Sequence, residues 1–215
     1  MPRPRTTTTP IDGTADRLGS CVGSRAASPG WLRRLDARDR LWLVQLAARR
    51  PTATECAAWR ALTHVGGATV TTVACALPFL VALRYAFTSG SPVAAAAAWR
   101  LGWLTTAIVV LSHLAVQIVK RTVGRPRPAT LGGVSALAAE PDRFSFPSGH
   151  SAAAMAVAIA YGSSIPPLLP LLVALAVLVG LSRAILGVHY LGDIVAGQVL
   201  ALLAGAVLAV LPLGL

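Results

Sequence analysis

Three short clusters of polar residues are the candidates for chemistry, because ionisable groups at the ends of apolar segments are costly and usually functional. The first cluster follows the pattern K-x6-R-P and consists of Lys120, Arg127 and Pro128. The second follows the pattern P-S-G-H and covers Pro147 to His150. The third follows the pattern S-R-x5-H-x3-D and consists of Ser182, Arg183, His189 and Asp193. His189 and Asp193 are four residues apart, so one helix face would place them within hydrogen-bond reach. With Arg183, they are the only charged or basic side chains after His150.

Each cluster also has a purely structural interpretation. Arg127 beside a helix end would set the topology or bind a lipid headgroup, Ser148 would cap a helix, and His150 would be an interfacial histidine. The two remaining histidines, His64 and His113, are predicted to be structural. Together, however, the three clusters are far more specific than any one of them.

The composition indicates that a membrane surrounds the part of the chain that carries these clusters. Hydrophobic residues make up 55% of the 215 residues and charged residues only 13%, against about a quarter in a typical soluble domain. The formal net charge is +11, and the charges are unevenly placed: residues 1–60 hold eleven Arg and five acids, whereas only Arg183 and Asp193 are charged between Phe144 and Leu215. A soluble nucleic-acid binder built from the C-terminal half is therefore excluded, and no nucleic-acid partner is expected.

Five apolar runs are predicted to be membrane-spanning helices, of which the third and fourth are short. The runs are Val65–Leu83, Leu101–Val119, Ser151–Ser163, Leu168–Leu181 and Ile194–Leu213. The first two approach the ~20 residues that cross a bilayer core, and none shows the alternation of a barrel strand. The first cluster ends span two, the second begins span three, and the third joins spans four and five. Antiparallel helices would therefore bring all three clusters to the same membrane face.

The residues before the first span are predicted to form two regions outside the bilayer core. Residues 1–30 show no apolar period and predict a disordered basic tail, without the apolar run of a secretory signal. In residues 31–60, Trp and Leu alternate with Arg at roughly helical spacing, which predicts an amphipathic helix on the membrane surface or a helix packed on its own membrane domain. Residues 61–215 would form the transmembrane domain.

The three cysteines predict neither a disulfide framework nor a thiolate metal site.

In these three motifs, which are intact and in order, the chain resembles the type 2 phosphatidic acid phosphatase (PAP2) superfamily. The resemblance covers Lys120 to Asp193 and the helices around them. It implies an all-α integral membrane bundle of about five spanning helices with an N-terminal interfacial helix, as in the shorter bacterial members, rather than the six spans of many others. It also implies a metal-independent phosphatase that hydrolyses lipid-linked phosphate or diphosphate monoesters, such as prenyl phosphates, phosphatidic acid or phosphatidylglycerol phosphate.

The resemblance assigns a role to each site residue. His189 would attack phosphorus and form a phosphohistidine, Asp193 would fix the tautomer of His189, and His150 would protonate the leaving group. The phosphate-binding residues would be Lys120, Arg127, Ser148, Gly149 and Arg183. Because three cations would offset the phosphoryl charge, no metal or other cofactor is expected. Glu140, Asp142 and Asp193 are the only carboxylates beyond residue 60, which is too few for a carboxylate metal cluster.

Two other functions are compatible with parts of this pattern. A non-catalytic lipid-phosphate binder or transporter would need the three cations but has no use for an oriented nucleophile and a separate acid. A vanadate-dependent haloperoxidase would share the constellation, but those relatives resemble soluble proteins. A basic peripheral scaffold acting through residues 1–60 would explain the tail and not the motifs.

The expected location is a bacterial plasma membrane, with membrane lipids and a lipid phosphate substrate as partners. Two arguments conflict over which side the site faces. Five spans put the N-terminal tail and the three motifs on the same face, and the basic tail favours the cytoplasm by the positive-inside rule. The resemblance to enzymes of envelope lipids favours the extracytoplasmic face, and we expect the site to lie there.

Overall fold

Helices make up most of the computed structural model, which describes residues 37–43, 45, 46, 51–131, 136–138 and 142–211. We number the helices α1 (Ala53–Val65), α2 (Ala68–Arg84), α3 (Pro92–Val123), α4 (Gly149–Ser164), α5 (Leu169–Ile185) and α6 (Leu191–Val210). Residues 37–43 add a helical segment before α1. A π-helical turn, Tyr85–Ser89, continues α2, and short 3-10 turns follow at Pro128–Leu131 and Pro166–Leu168. The predicted all-α fold is confirmed.

Local sequence signals set the ends of the helices that carry site residues. In α3, the Ser91 hydroxyl accepts a hydrogen bond from the Ala94 amide, and Pro92 occupies the first turn, where its missing N–H is not needed. The same helix ends at Gly124, whose φ of 60° is the left-handed conformation that glycine adopts without strain. This stop places Lys120 in the last turn of α3.

Four helical segments in the described part of the chain are long and apolar enough to cross a membrane. They are Ala68–Thr88, Pro92–Val123, Pro166–Ile185 and Leu191–Val210. α4 has 16 residues, which reach about 24 Å at 1.5 Å per residue, short of the ~30 Å of a bilayer core. The total of five spans therefore stays a prediction.

α4 lies at the centre of the bundle, packed against α3, α5 and α6. Its inward positions are mostly alanine, and small side chains let neighbouring helix backbones approach closely. The outward faces of the other helices are apolar and exposed, for example at Leu80, Ile118 and Leu171. This arrangement suits a bundle whose outer surface contacts lipid.

The N-terminal predictions fall only partly within the described residues. The predicted tail, residues 1–30, lies outside them. In the predicted amphipathic region, residues 31–60, the described helical residues are a first piece at residues 37–43, then residues 45 and 46, and the start of α1. In the first piece Asp39 and Leu43 are buried, whereas Leu41 and Trp42 are exposed. Residues 37–43 thus contact the membrane domain through Asp39, and the amphipathic helix over residues 31–60 stays a prediction.

Candidate active site

Residues from all three sequence clusters line one cavity of about 510 Å³. Lys120 comes from the last turn of α3, Arg127 from the loop that follows, Gly149 and His150 from the first turn of α4, and His189 from the turn between α5 and α6. Because these helix ends meet on one side of the bundle, Lys120 and His189 share a single cavity although they are 69 positions apart in the chain.

The cavity extends from these polar groups along the groove between α2 and α3. Its wall there is formed by Thr71 and Thr72 of α2 and by one side of α3, including His113 and Gln117. Thr72 and His113 are exposed on the outer surface of the bundle. The cavity is therefore polar at its inner end and opens laterally, toward the lipid-facing side.

His189 is buried, and its two ring nitrogens face different groups. Nδ1 lies 3.4 Å from Oδ2 of Asp193, and Nε2 lies 3.5 Å from Nη1 of Arg127. The pair does not share a helix face as the spacing suggested, because α6 begins only at Leu191. Asp193 instead sits in the first turn of α6, where Oδ2 also accepts a hydrogen bond of 2.9 Å from the Tyr190 amide.

The surroundings of His189 keep its imidazole neutral. Burial lowers the pKa of His189 to about 4, although the hydrogen bond and the charge of Asp193 act in the opposite direction. Near pH 7 the ring therefore carries one proton, which the Asp193 carboxylate holds at Nδ1. Nε2 is then the nitrogen that carries the lone pair, on the Arg127 side of the ring.

Asp193 is held by a network that the sequence motifs did not reveal. Nη1 of Arg125 donates to Oδ1 of Asp193 at 2.6 Å, and the Ser145 hydroxyl donates to Oδ2. The Arg125 guanidinium lies over the Tyr190 ring, 4.0 Å from its centroid, and also contacts Asp39 of the N-terminal segment. Arg125 stands two residues before Arg127, so the repeated Arg-Pro in residues 125–128 was a signal for it. Asp39 belongs to no motif.

Asp142 binds the two cations that line the cavity. Nη2 of Arg127 donates to Oδ1 of Asp142 at 2.7 Å, and Nε donates to the Asp142 carbonyl at 2.7 Å. Lys120 Nζ donates to Oδ2 of the same carboxylate. Burial alone would raise the pKa of Asp142, but the hydrogen bonds from Lys120 and Arg127 and their charges hold it below its usual range. From its position in the sequence, this carboxylate was considered only as a possible metal ligand.

Two of the predicted phosphate-binding residues, Arg183 and Ser148, are buried beside the cavity and are not among its lining residues. Nη1 of Arg183 donates to the Thr63 hydroxyl of α1 at 2.9 Å. The Ser148 hydroxyl caps α4 by accepting from the Ser151 amide at 3.4 Å. Gly149, in contrast, faces open space: a Cβ there would meet no atom within 4 Å apart from its chain neighbours and the backbone of its own helical turn.

A close helix contact fixes the start of α4 at the site. A Cβ added at Gly197 of α6 would lie 2.4 Å from the Ser148 carbonyl oxygen, closer than atoms can approach. Only glycine lets α6 pass directly beneath the turn that carries Gly149 and His150.

Among the described residues, no three His, Cys, Asp or Glu side chains are grouped so that they could hold a metal ion.

Comparison with known proteins agrees with this geometry. A sequence model of the PAP2 superfamily matches residues 100–213. The chain is 39% identical over 101 residues to decaprenylphosphoryl-5-phosphoribose phosphatase of Mycolicibacterium smegmatis, covering 46% of this chain and 53% of that protein. It is 34% identical over 100 residues to lipid A 1-phosphatase of Rhizobium johnstonii, covering 41% and 38%. The chain thus spans about half the length, or less, of these curated relatives.

A solved structure shows the same fold over most of the chain. The phosphatidylglycerolphosphate phosphatase of Bacillus subtilis superposes with a TM-score of 0.65 at 23% identity, covering 82% of this chain and 85% of that one. Motifs, helix arrangement and family match therefore coincide on the same segment. On this basis the chain is a member of the PAP2 superfamily.

Proposed function

We propose that this protein is an integral membrane phosphatase that hydrolyses lipid-linked phosphate or diphosphate monoesters through a phosphohistidine. The observation that carries the proposal is the shared cavity, in which a carboxylate-bound histidine, two cations and a second histidine meet. The relatives support it, since the two curated relatives named above are phosphatases of decaprenylphosphoryl-5-phosphoribose and of the 1-phosphate of lipid A.

In the first step, Nε2 of His189 attacks phosphorus and the bond from phosphorus to the leaving oxygen breaks. His150, which also lines the cavity, donates a proton to that oxygen, so the lipid leaves as a neutral alcohol or as a phosphate. Asp193 stabilises the positive charge that develops on the His189 ring. The product of this step is a phosphohistidine at Nε2.

In the second step, water attacks the phosphohistidine and the phosphorus–nitrogen bond breaks. His150, now unprotonated, takes a proton from that water, and inorganic phosphate is released. The two histidines thus return to their starting states, with one proton passed through His150 in each direction.

Cations around the phosphate offset its negative charge in the transition state. Lys120 and Arg127 would bind its oxygens from the cavity wall, after exchanging Asp142 for the substrate. Arg183 would act from behind the wall, where it is buried next to the His150 and His189 side of the site. Three positive groups suit a phosphoryl charge of about −1.5 to −2.

The lateral opening of the cavity supports a substrate whose tail remains in the bilayer. A headgroup at the Lys120 end would leave its tail in the groove between α2 and α3. Prenyl phosphates, phosphatidic acid and phosphatidylglycerol phosphate all have this form. A pure binder would use the same groove, but the His189–Asp193 pair favours catalysis, because a binder needs no oriented nucleophile.

Phosphate release by the purified protein in detergent tests the proposal. The assay would present a panel of prenyl phosphates and diphosphates, phosphatidic acid and phosphatidylglycerol phosphate in the presence of EDTA. We expect turnover of at least one of these, and a loss of several orders of magnitude in His189→Ala. A His189→Ala variant within about tenfold of the parent would contradict the covalent mechanism. Activity that EDTA abolishes and Mg²⁺ restores would contradict the metal-free chemistry.

We further propose that the site faces the extracytoplasmic side of a bacterial plasma membrane. A single cysteine in place of the exposed Ala136, on a background without Cys21, Cys56 and Cys75, reports the side of the loop before α4. An impermeant thiol reagent should label it in intact cells. Protection that is relieved by lysis would place the site in the cytoplasm instead.

A further inference from the structure

A chain of buried charges runs from the nucleophile to the N-terminal helical segment, residues 37–43. Asp193 accepts from Nη1 of Arg125 at 2.6 Å, and Nη2 of the same guanidinium donates to Oδ2 of Asp39 at 2.9 Å. The exposed fractions of Asp39, Arg125 and Asp193 are 6%, 3% and 0%. One arginine thus bridges two buried carboxylates, of which one binds His189 and the other belongs to a segment 86 residues away.

Asp39 also binds the backbone next to Asp193. Its Oδ1 accepts a hydrogen bond of 3.1 Å from the Gly192 amide, in the first turn of α6. A Cβ at Gly192 would lie 2.6 Å from Oδ2 of Asp39, so the absence of a side chain there is what admits the carboxylate. Asp39 therefore holds both the arginine that binds Asp193 and the turn from which Asp193 projects.

The geometry makes the orientation of Asp193 depend on Asp39. A guanidinium is a rigid planar fork, so fixing one of its nitrogens at Asp39 fixes the direction from which the other approaches Asp193. The negative charge of Asp39 also offsets the charge of Arg125. Without it, Arg125 would draw more strongly on Asp193 and weaken the hold of Asp193 on Nδ1 of His189.

We infer that Asp39 is a positioning residue for the nucleophile and that residues 37–43 complete the active site. Through Arg125 and Gly192, Asp39 fixes the Asp193 carboxylate that holds the proton on Nδ1 of His189. This inference rests on the proposed function for its catalytic consequence. It assigns to the segment before the membrane domain a part in the chemistry, beyond contact with the membrane surface.

Asp39→Asn tests the inference by kinetics, because it removes the charge and keeps the shape. We expect kcat to fall roughly tenfold or more, the scale of loss when a hydrogen-bonding partner behind a functional histidine is removed. KM should stay within about twofold, because Asp39 does not line the cavity. Asp39→Glu should recover activity relative to Asp39→Asn. A kcat within twofold of the parent, or a change confined to KM, would overturn the inference.

Glu55→Gln is the matched control for this variant. It makes the same carboxylate-to-amide change at an exposed acid of α1, where glutamine also suits the capping box with Thr52. We expect its kcat and KM to equal those of the parent. A loss like that of Asp39→Asn would show that removing any acid before the membrane domain has this effect, and would overturn the inference.

Chemical labelling of His189 provides a readout that needs no turnover. Diethyl pyrocarbonate reacts with unprotonated imidazole nitrogens, and mass spectrometry can compare His189 with the exposed His113 in the same sample. In Asp39→Asn the ratio of His189 labelling to His113 labelling should fall several-fold, because the lone pair of His189 is no longer fixed at Nε2. An unchanged ratio would overturn the inference, and so would a raised one, which would mean that the fold had merely loosened.

These measurements separate the inference from the proposed function. If the parent released phosphate from no member of the lipid panel, the proposed function would fail and the labelling ratio would still decide whether Asp39 positions His189. If the parent, Glu55→Gln and Asp39→Asn all released phosphate at the same rate, only the inference would fail and the proposed function would stand.

Discussion

Replacing Asp142 with Asn should make the protein bind phosphate more tightly. The Asp142 carboxylate occupies hydrogen-bonding groups of both Lys120 and Arg127, the two cations of the cavity wall. A substrate phosphate must compete with it for these groups. Asparagine has nearly the same shape and keeps one acceptor oxygen, but it lacks the charge that makes the carboxylate a competitor. The Asp142 backbone carbonyl, which binds Nε of Arg127, is unaffected by the change.

The size of the effect follows from the exposure of the two ion pairs. The side chain of Asp142 is 38% exposed, whereas those of Lys120 and Arg127 are 6% and 1% exposed. Solvent at the carboxylate screens the pairs, so each is assigned about 0.5 kcal/mol, within the range for partly exposed ion pairs. Losing both ion pairs therefore removes about 1 kcal/mol of competition with phosphate. Because about 1.4 kcal/mol corresponds to a factor of ten, the affinity of the protein for phosphate should rise about fivefold.

Inhibition by inorganic phosphate and by vanadate measures this affinity directly, at constant ionic strength. Both inhibition constants and KM should fall about fivefold in Asp142→Asn, while Glu55→Gln, an exposed acid outside the cavity, should leave them unchanged. Unchanged constants would show that Asp142 does not compete with phosphate. Weaker binding would show that its carboxylate holds the two cations in place for the substrate.

Further predictions concern the acid, the phosphate pocket and pH. His150→Ala should lose about 10²–10⁴-fold with an alkyl phosphate and less with an aryl phosphate, which needs less protonation; equal losses would argue against His150 as the acid. Gly149→Ala should raise KM without changing the midpoint of thermal unfolding, because the new Cβ enters only the cavity. Gly197→Ala should lower the midpoint, because its Cβ would clash with the Ser148 carbonyl. A matched change in both midpoints would contradict this difference. Because the pKa of His189 is about 4, protonation of the nucleophile should lower kcat/KM, corrected for ionisation of the substrate and of the acid His150, only toward pH 4. A fall centred near pH 6.5, the usual pKa of histidine, would contradict this.

The sequence was most informative where function constrains residues at helix ends. Lys120, His150 and His189 could be assigned to one face because alternate spans run in opposite directions, and the structure places all three on one cavity. Hydropathy was less informative about helix length. The second span was predicted to begin at Leu101, because Arg100 interrupts the apolar run. In the structure α3 begins nine residues earlier, at Pro92, where Ser91 is the N-cap.

The supporting groups could not be predicted, because they depend on contacts between segments far apart in the chain. No spacing rule connects Asp39 to Arg125, and the contact forms only when the N-terminal segment packs on the start of α6. Likewise, Asp142 binds Lys120 and Arg127 from 22 and 15 residues further along the chain. Arg183 was predicted to bind phosphate from its motif alone, and the motif gave no sign of its hydrogen bond to the Thr63 hydroxyl of α1.

Under the proposed function, the lateral opening of the cavity between α2 and α3 has a consequence for kinetics. A substrate that entered sideways would arrive by diffusion within the plane of the bilayer or the surface of a micelle, so turnover would depend on its mole fraction there and not on its amount per volume. Adding detergent at a fixed total amount of lipid phosphate would then dilute the substrate in two dimensions and slow the reaction. A water-soluble phosphate ester would be insensitive to the same addition.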